Sequence, residues 1–267
     1  MTAVDTTSPS AATGAPALVA EHVGKRFEGI AALVDVSVRL DRGELVALIG
    51  PNGAGKSTLF GCLSGHITPD SGRVTMNGHD LAGLPAHERS RLGLARTFQR
   101  IELFAGLSVR DHLLVAVRAQ KGGAKLWRDL LGRSKPSAEE QERCDEILEL
   151  VGLTSVADRP AGALTLGTGR LVELARALVT DPVLLFLDEP SSGLDHRETD
   201  EVGSMLEHVK AQRGTAILLC EHDVAFVQRL ASRAYVLDCG ALIAEGPMAA
   251  VLEDPAVRTA YLGQEAE

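Results

Sequence analysis

A glycine-rich stretch that directly follows the apolar run Leu45–Ile49 places the strongest constraint on how this chain can fold. The stretch fits the pattern G-x-x-x-x-G-K-[ST], which requires a buried strand before it and a helix after it. Its glycines let successive backbone N–H groups point inward around phosphate oxygens, and the helix adds the positive end of its dipole. The flanking strand and helix argue against the alternative, a glycine-rich turn with a surface lysine. The predicted phosphate-binding residues are Gly50, Pro51, Asn52, Gly53, Ala54, Gly55, Lys56, Ser57 and Thr58.

Two adjacent carboxylates complement this loop. Asp188 and Glu189 follow the apolar run Val183–Leu187, which is predicted to be a buried strand. Because Mg²⁺ binds through few carboxylates plus waters, Asp188 is predicted to hold this ion together with the Ser57 hydroxyl, while Lys56 reaches the β- and γ-phosphates. Glu189 suits a general base that polarises an attacking water. The alternative, a solvated acidic turn, is disfavoured by the phosphate loop upstream.

Apolar periodicity predicts an α/β fold with a mostly parallel sheet and helices on its faces. One strand candidate, Ala32–Leu40, alternates apolar and polar residues, which predicts a buried face made of Val34, Val36, Val38 and Leu40. The other strand candidates are Ala17–Val23, Leu45–Ile49, Gly72–Asn77, Val183–Leu187 and Ala216–Cys220.

Helices are predicted in the middle of the chain and between the later strands. Capping pairs at Ser108 with Asp111 and at Ser137 with Glu140 predict two helix starts. Apolar residues at i, i+3 and i+4 spacing predict two further helices, around residues 171–178 and 202–209. The long helical stretch from about 107 to 164 is interpreted as an inserted subdomain.

Composition limits what the chain can be. Its 267 residues can bury the core of one large α/β domain or two small ones. The net charge of −9 argues against a broad nucleic-acid-binding surface, which needs clustered Lys and Arg. No apolar run has the length to cross a bilayer, and residues 1–16 show no signal-peptide pattern and are predicted to be a disordered tail. The spacing of the cysteines suits neither a metal nor a redox site, so buried, reduced thiols are expected at Cys62, Cys144, Cys220 and Cys239.

The order of these motifs resembles that of the ATP-binding cassette (ABC) ATPases. The most specific part is the segment Leu164–Asp195, in which a glycine turn and a helix come directly before the Asp-Glu strand end. The resemblance implies a P-loop NTPase fold with a mainly parallel sheet, an N-terminal antiparallel β subdomain and an inserted helical subdomain. It implies one nucleotide-binding domain over 17–267, with an ATP-binding core at 17–98 and 180–245. The helical subdomain would span 99–179 and a C-terminal helical extension 246–267.

Further site residues follow from the resemblance by their place in the motif order. Phe27 lies where the family places an aromatic side chain that stacks on adenine, although a core phenylalanine fits the sequence nearly as well. Gln99 matches a glutamine that contacts Mg²⁺ or water and senses the membrane partner. His222 matches the histidine that contacts the γ-phosphate, so Glu189, His222 and Gln99 form the implied catalytic set. Asp195 matches an aspartate near the seam between two subunits.

The signature segment departs from the family's commonest pattern, Leu-Ser-Gly-Gly-Gln, because it reads Leu164, Thr165, Leu166, Gly167, Thr168. In the family this segment caps the ATP of a partner subunit. Thr165 retains a hydroxyl for a phosphate oxygen, and Gly167 retains the close backbone approach. A helix predicted to begin near Gly169 would supply its dipole.

The extra segment Arg118–Pro136 makes the chain more similar to the longer of the two ATP-binding subunits of branched-chain amino-acid importers. Three local features are similar to these subunits. They are Ala95–Gln99 followed by Leu103 and Phe104, the triplet Glu221–Asp223, and the ending Asp254–Gly263. The resemblance implies ATP and Mg²⁺ as cofactors and a second ATPase subunit, a paralogue or a copy of this chain. It also implies membrane-spanning permease subunits and an external substrate-binding protein, with this chain at the cytoplasmic face of the plasma (inner) membrane and no nucleic acid bound.

Four alternatives remain open from the sequence. Importers of urea and amides share the architecture of the branched-chain systems, and lipopolysaccharide-export ATPases share the Tyr-Leu-Gly ending. A soluble ABC protein of translation or DNA maintenance usually carries two cassettes or long coiled-coil insertions, and neither is evident here. A catalytically silent, regulatory cassette would bind ATP without hydrolysing it.

Overall fold

The computed structural model describes residues 15–97, 102–120 and 135–262. Within these ranges the strands are β1 (Leu18–Phe27), β2 (Ile30–Leu40), β3 (Leu45–Ile49), β4 (Ser71–Met76), β5 (His79–Asp80), β6 (Leu94–Arg96), β7 (Leu184–Asp188), β8 (Ala216–Cys220), β9 (Arg233–Asp238) and β10 (Ala241–Pro247). The helices are α1 (Lys56–Ser64), α2 (Ala86–Arg91), α3 (Val109–Gln120), α4 (Ala138–Leu150), α5 (Leu166–Leu178), α6 (His196–Arg213), α7 (Val224–Leu230), α8 (Met248–Glu253) and α9 (Pro255–Leu262).

A six-stranded, mostly parallel sheet forms the centre of the molecule, with the strand order β10-β9-β3-β8-β7-β6. Every residue of β3, β7 and β8 is buried. Such continuous apolar strands are typical of a sheet covered on both faces. The predicted α/β fold with a mainly parallel sheet is confirmed.

The two faces of this sheet pack into two separate cores. Along β3, Leu45, Ala47 and Ile49 join a core shared with the helices α3–α6. Val46 and Leu48 point to the other face and pack with α1 and the antiparallel strands. This alternation follows from the two-residue period of a strand, and it accounts for the apolar side chains on both faces of β3.

A four-stranded antiparallel sheet, with the order β2-β1-β4-β5, covers one of these cores. The prediction for β2 was wrong at one position, because Val34 is 50% exposed while Val36, Val38 and Leu40 are buried. Asp35 has a positive φ of 54°, and so does His22 in the paired strand, where the register shifts. This irregularity turns Val34 to the surface and buries Leu33 instead.

Two helices begin at the capping pairs that the sequence predicts. The Ser137 side chain accepts the N–H of Glu140, and the Glu140 side chain accepts the N–H of Ser137, so a complete capping box starts α4. The Ser108 hydroxyl likewise accepts the N–H of Asp111 at the start of α3. In the described part of the chain, no helix combines the length and hydrophobicity that crossing a bilayer requires. The predicted tail at 1–16 lies almost wholly outside the described residues.

Candidate functional site

The carboxyl ends of three neighbouring parallel strands bring the predicted chemistry together. β8 lies between β3 and β7 in the sheet. The glycine loop follows β3, His222 follows β8 shortly after its last residue, and Asp188 ends β7. Ligands of open α/β sheets bind outside the carboxyl ends of such strands. Residues that are far apart in the chain thus share one edge of the sheet.

The glycine loop wraps around the lysine side chain. Gly50, Gly53 and Gly55 have φ angles of 149°, 80° and 103°, which L side chains rarely adopt. The buried Lys56 ammonium donates hydrogen bonds to the carbonyls of Gly50 and Pro51, at 2.6 and 2.8 Å. These bonds hold the charge inside the loop, directly before the first turn of α1. The loop therefore combines a fixed cation with backbone donors, the arrangement that binds phosphate.

A cavity of about 420 Å³ opens beside this loop. The β1–β2 hairpin contributes one wall through Ile30 and Ala32, and Glu189 faces the same space. Cys239, on the turn between β9 and β10, completes the rim and is exposed, which corrects the expectation that all four cysteines are buried. Phe27 pairs with Ile30 across the hairpin and is 45% exposed, so it is not a core phenylalanine. The Lys25 ammonium lies 5.3 Å from the centre of the Phe27 ring.

Asp188 is buried and paired with a cation. Its carboxylate accepts a hydrogen bond of 2.9 Å from the Arg96 guanidinium, which also donates to the Ser64 hydroxyl at 3.1 Å. No motif or spacing connects Arg96, at the end of β6, with Asp188, at the end of β7. Parallel pairing of β6 with β7 brings the two together, because Arg96 aligns with Phe186 in the register.

Glu189 and His222 lie next to each other across the sheet edge. The His222 Nδ1 atom is 3.9 Å from a carboxylate oxygen of Glu189. Glu189 leaves the strand with a positive φ of 48°, and its N–H donates to the Cys220 carbonyl at 2.9 Å. Burial raises the pKa of the Cys220 thiol, and the nearby carboxylates of Asp188 and Glu189 raise it further while the Lys56 ammonium lowers it.

The signature segment contacts the start of α6 within this chain. Helix α5 begins at Leu166, earlier than the predicted start near Gly169, because the Thr165 hydroxyl accepts the N–H of Thr168 and caps the helix. Gly167 packs so closely on Glu198 that a Cβ there would lie 2.2 Å from its carboxylate. Asp195 and Glu198 form the capping box of α6. Leu166 is 50% exposed.

Gln99, the remaining predicted site residue, lies outside the described residues. Two contacts of the site have no local sequence signal. One is the pair Arg96 and Asp188, and the other is the hydrogen bonding of the buried Glu221 to Ser191. Both join segments that meet only in the folded sheet, so no motif spacing could have indicated them.

The donor set suits Mg²⁺ bound together with a nucleotide. Among the described residues, no group of three or more His, Cys, Asp or Glu side chains could hold a metal ion by itself. A phosphate-loop site needs only the Ser57 hydroxyl and the Asp188 carboxylate from the protein, since phosphate oxygens and waters complete the shell. The oxygen donors present therefore fit this ion.

Comparison with known proteins agrees with this geometry. The family model of the ABC transporter matches residues 33–192, and a model of the branched-chain amino acid ATP-binding cassette transporter matches residues 241–267. The chain is 39% identical over 253 residues to the high-affinity branched-chain amino acid transport ATP-binding protein LivG of Salmonella typhimurium, covering 93% of this chain and 98% of that protein. It is 35% identical over 252 residues to BraF of Pseudomonas aeruginosa, with the same coverage. The lipopolysaccharide export system ATP-binding protein LptB of Escherichia coli is more distant, at 33% over 249 residues.

A solved structure gives the same result for the fold. The crystal structure of the ADP conformation of MJ1267, an ATP-binding cassette of an ABC transporter, superposes with a TM-score of 0.81 at 32% identity. The match covers 93% of this chain and 99% of that one. The phosphate loop, the carboxylates that end β7 and the family match over most of the chain lead to one assignment: this chain belongs to the ABC transporter family of ATP-binding proteins.

Proposed function

We propose that this chain is the ATP-hydrolysing subunit of an ABC importer of branched-chain amino acids or related amides. The proposed ATPase activity is supported by the edge of the sheet at which β3, β8 and β7 end, because Lys56, Glu189 and His222 lie together there. The match of residues 241–267 and the relatives named above support the substrate class. The lipopolysaccharide-export alternative has weaker support, since that relative is less similar.

In this proposal the nucleotide phosphates lie on the backbone N–H groups of residues 50–58 and on Lys56. Ser57 and Asp188 would hold Mg²⁺, which would supply neutralisation of the phosphate charge. Glu189 polarises the attacking water as a general base, and His222 contacts the γ-phosphate. Gln99 contacts Mg²⁺ or water. The exposed Phe27 is available to stack on adenine.

The proposal also requires a second ATPase subunit, which is a paralogue or another copy of this chain. Thr165, Gly167 and Asp195 would face the ATP of that partner. Thr165 and Asp195 are exposed, as is the neighbouring Leu166, which is consistent with a surface that a partner covers. The hydroxyls of Thr165 and Thr168 are 3.0 Å apart, so they form one polar group at the start of α5.

A second cavity, of about 330 Å³, suits the docking of a permease segment. It lies between the central sheet and the inserted helices, because His66 and Arg96 line one side and Glu102, Glu173 and Arg176 the other. The Phe104 ring, nearby in the chain, is 59% exposed. Permease subunits docked here would hold this chain at the cytoplasmic face of the membrane, with an external binding protein supplying the substrate.

The first experiment tests hydrolysis. Glu189→Gln keeps the size of the side chain but removes the base, so the variant should bind ATP with unchanged affinity and turn it over at least about a hundredfold more slowly. Glu207→Gln, on an exposed face of α6, is the matched control and should behave as the wild type. Normal turnover by Glu189→Gln would refute the assignment of the base.

The second experiment tests transport. The chain is isolated from membranes in mild detergent, and the copurifying proteins are identified by mass spectrometry. Permease subunits and a second ATPase are expected. ATP hydrolysis by the reconstituted complex is then measured with the external binding protein loaded with leucine, urea or nothing. Stimulation by leucine alone supports branched-chain amino acids, whereas stimulation by urea alone excludes them.

A further inference from the structure

A fully buried carboxylate lies next to the candidate catalytic groups and has so far been given no role in the proposed hydrolysis. Glu221 directly follows β8 and has no solvent exposure. One of its oxygens accepts hydrogen bonds from the N–H and the hydroxyl of Ser191, at 2.9 and 2.6 Å. The other oxygen accepts the N–H of His222 at 3.1 Å. A buried charge is costly unless it is hydrogen-bonded. These three donors therefore stabilise the buried carboxylate.

The two segments that Glu221 joins carry Glu189 and His222, the two groups proposed to act at the γ-phosphate. Ser191 lies on the loop that begins at Glu189 and ends at Asp195, and His222 is the residue directly after Glu221. The His222 Nδ1 atom is 3.8 Å from Glu221 and 3.9 Å from Glu189, so the three side chains form one group. Glu221 therefore fixes the separation between the base and the histidine without touching the nucleotide cavity itself.

The backbone of Glu189 explains why such support is needed. Its φ of 48° is in the left-handed region, which is unfavourable for a residue with a side chain. The conformation is held by the bond from its N–H to the Cys220 carbonyl and by the bond from the Ser192 N–H to its own carbonyl. The bonds from Ser191 to Glu221 complete this support on the side that leads toward Asp195.

We propose that Glu221 is a positioning residue for ATP hydrolysis, which holds the Glu189 loop and His222 in a single arrangement. The inference rests on the proposed ATPase function. It implies that the loop from Glu189 to Asp195 and the loop of His222 move as one unit. A disturbance at the partner-facing Asp195 would then reach both groups at the γ-phosphate.

The test compares Glu221→Gln and Ser191→Ala in the full-length chain within the complex isolated from membranes. In Glu221→Gln the amide oxygen can still accept from Ser191, but the NH₂ group then meets the N–H of His222, donor against donor. We expect kcat to fall about tenfold to a hundredfold, with the ATP affinity and the melting temperature close to those of the wild type. Ser191→Ala removes one donor and should lower kcat about threefold to tenfold.

Two further readouts separate positioning from a merely structural role. In the double variant the two reductions in kcat should not multiply in full, because the two changes weaken the two ends of one bridge between Ser191 and His222. Glu207→Gln should leave kcat unchanged. Wild-type kcat in both Glu221→Gln and Ser191→Ala would overturn the inference, and so would a fall of ATP affinity and melting temperature in parallel with kcat. If Glu221→Gln does not fold, Ser191→Ala decides alone. A wild-type chain that binds but does not hydrolyse ATP, even within the complex isolated from membranes, would instead refute the proposed function.

Discussion

The Arg96 guanidinium donates a 2.9 Å hydrogen bond to the carboxylate of Asp188, and each side chain is only 12% exposed. Arg96 also lines the cavity between the sheet and the inserted helices, so it contacts both the proposed permease groove and the proposed metal ligand. The same guanidinium lies 5.6 Å from the centre of the Phe60 ring, which is fully buried. A single side chain thus connects the cavity between the sheet and the inserted helices with the proposed metal ligand.

Removing this arginine should destabilise the chain strongly. Arg96→Gln leaves Asp188 as a nearly buried charge without its cation, which costs on the order of 3 kcal/mol of unfolding free energy. Urea denaturation of the single variants and of Arg96→Gln/Asp188→Asn measures the coupling, and the double variant should be less destabilised than the sum. Arg39→Gln is the matched control, because its pair with Asp41 is 54% and 40% exposed and is worth less than about 1 kcal/mol. Equal losses for Arg39→Gln and Arg96→Gln would contradict the argument.

The exposed thiol at the nucleotide cavity gives a direct test of where ATP binds. Cys239 has a φ of 44°, and the N–H of the following Gly240 donates to the Ala54 carbonyl at 2.9 Å, so the turn is fixed against the glycine loop. Cys62, Cys144 and Cys220 are buried, and burial raises the pKa of Cys62 and Cys144 to about 11.

A maleimide should therefore react rapidly with one thiol per chain, and Cys239→Ser should abolish this reaction. The hydrogen bond of the Cys239 thiol to Asp238 raises its pKa, so labelling should accelerate as the pH rises. Saturating ATP and Mg²⁺, added to the Glu189→Gln variant to prevent turnover, should slow the labelling several-fold. Labelling that is indifferent to ATP would place the nucleotide elsewhere.

A buried histidine makes stability depend on pH. His112 is 2% exposed, its Nδ1–H donates to the Ser108 carbonyl at 2.8 Å, and its Nε2 accepts the Phe104 N–H at 2.9 Å. Burial lowers the pKa of His112, opposed by the Ser108 carbonyl and aided by the Arg176 charge. Protonation would also convert Nε2 into a donor that faces the Phe104 N–H.

The folded state therefore binds fewer protons than the unfolded chain as the pH falls through about 6.5, the ordinary pKa of histidine. The contribution of His112 is present in full above that pH and is lost on acidification. Unfolding free energy measured by urea at pH 7.5 and 5.5 should be lower at pH 5.5. His112→Gln should reduce this difference, whereas His66, whose pKa is also lowered by burial, should account for part of what remains. An unchanged pH slope in His112→Gln would contradict the assignment.

The parts of the site that the sequence predicted are those encoded in short segments. The glycine loop needs its residues in one order next to a strand, and the capping box of Ser137 and Glu140 needs two residues at fixed spacing. These signals hold because they depend on local backbone geometry. Continuous apolar runs in the sequence likewise predicted that β7 and β8 are buried along their whole length.

The parts that the sequence missed depend on register and on contacts across the sheet. Val34 is exposed because an irregularity at Asp35 shifts the alternation, and no propensity indicates such a shift in advance. Glu221 reaches Ser191, and Arg96 reaches Asp188, only because parallel strands align their ends. The early start of α5 was missed for a smaller reason: the threonine pair at Thr165 and Thr168 caps the helix although Leu166 interrupts the usual glycines.

The packing of the signature segment on α6 gives the last prediction. An alanine at position 167 would place its Cβ 2.2 Å from a Glu198 oxygen and 2.4 Å from the adjoining carbon. Glu198 must then turn away and give up its hydrogen bond to the Asp195 N–H, so Gly167→Ala should cost about 1 kcal/mol of unfolding free energy.

Removal of Glu198 should reverse the sign of this change. Residue 167 lies in the first turn of α5, where alanine is favoured over glycine by up to about 1 kcal/mol. In a Glu198→Ala background, Gly167→Ala should therefore be neutral or stabilising, because the clash is gone and only the helix propensity remains. Urea denaturation of the four members of this cycle measures the coupling. Additive losses would show that the close approach of Gly167 to Glu198 does not constrain the start of α5.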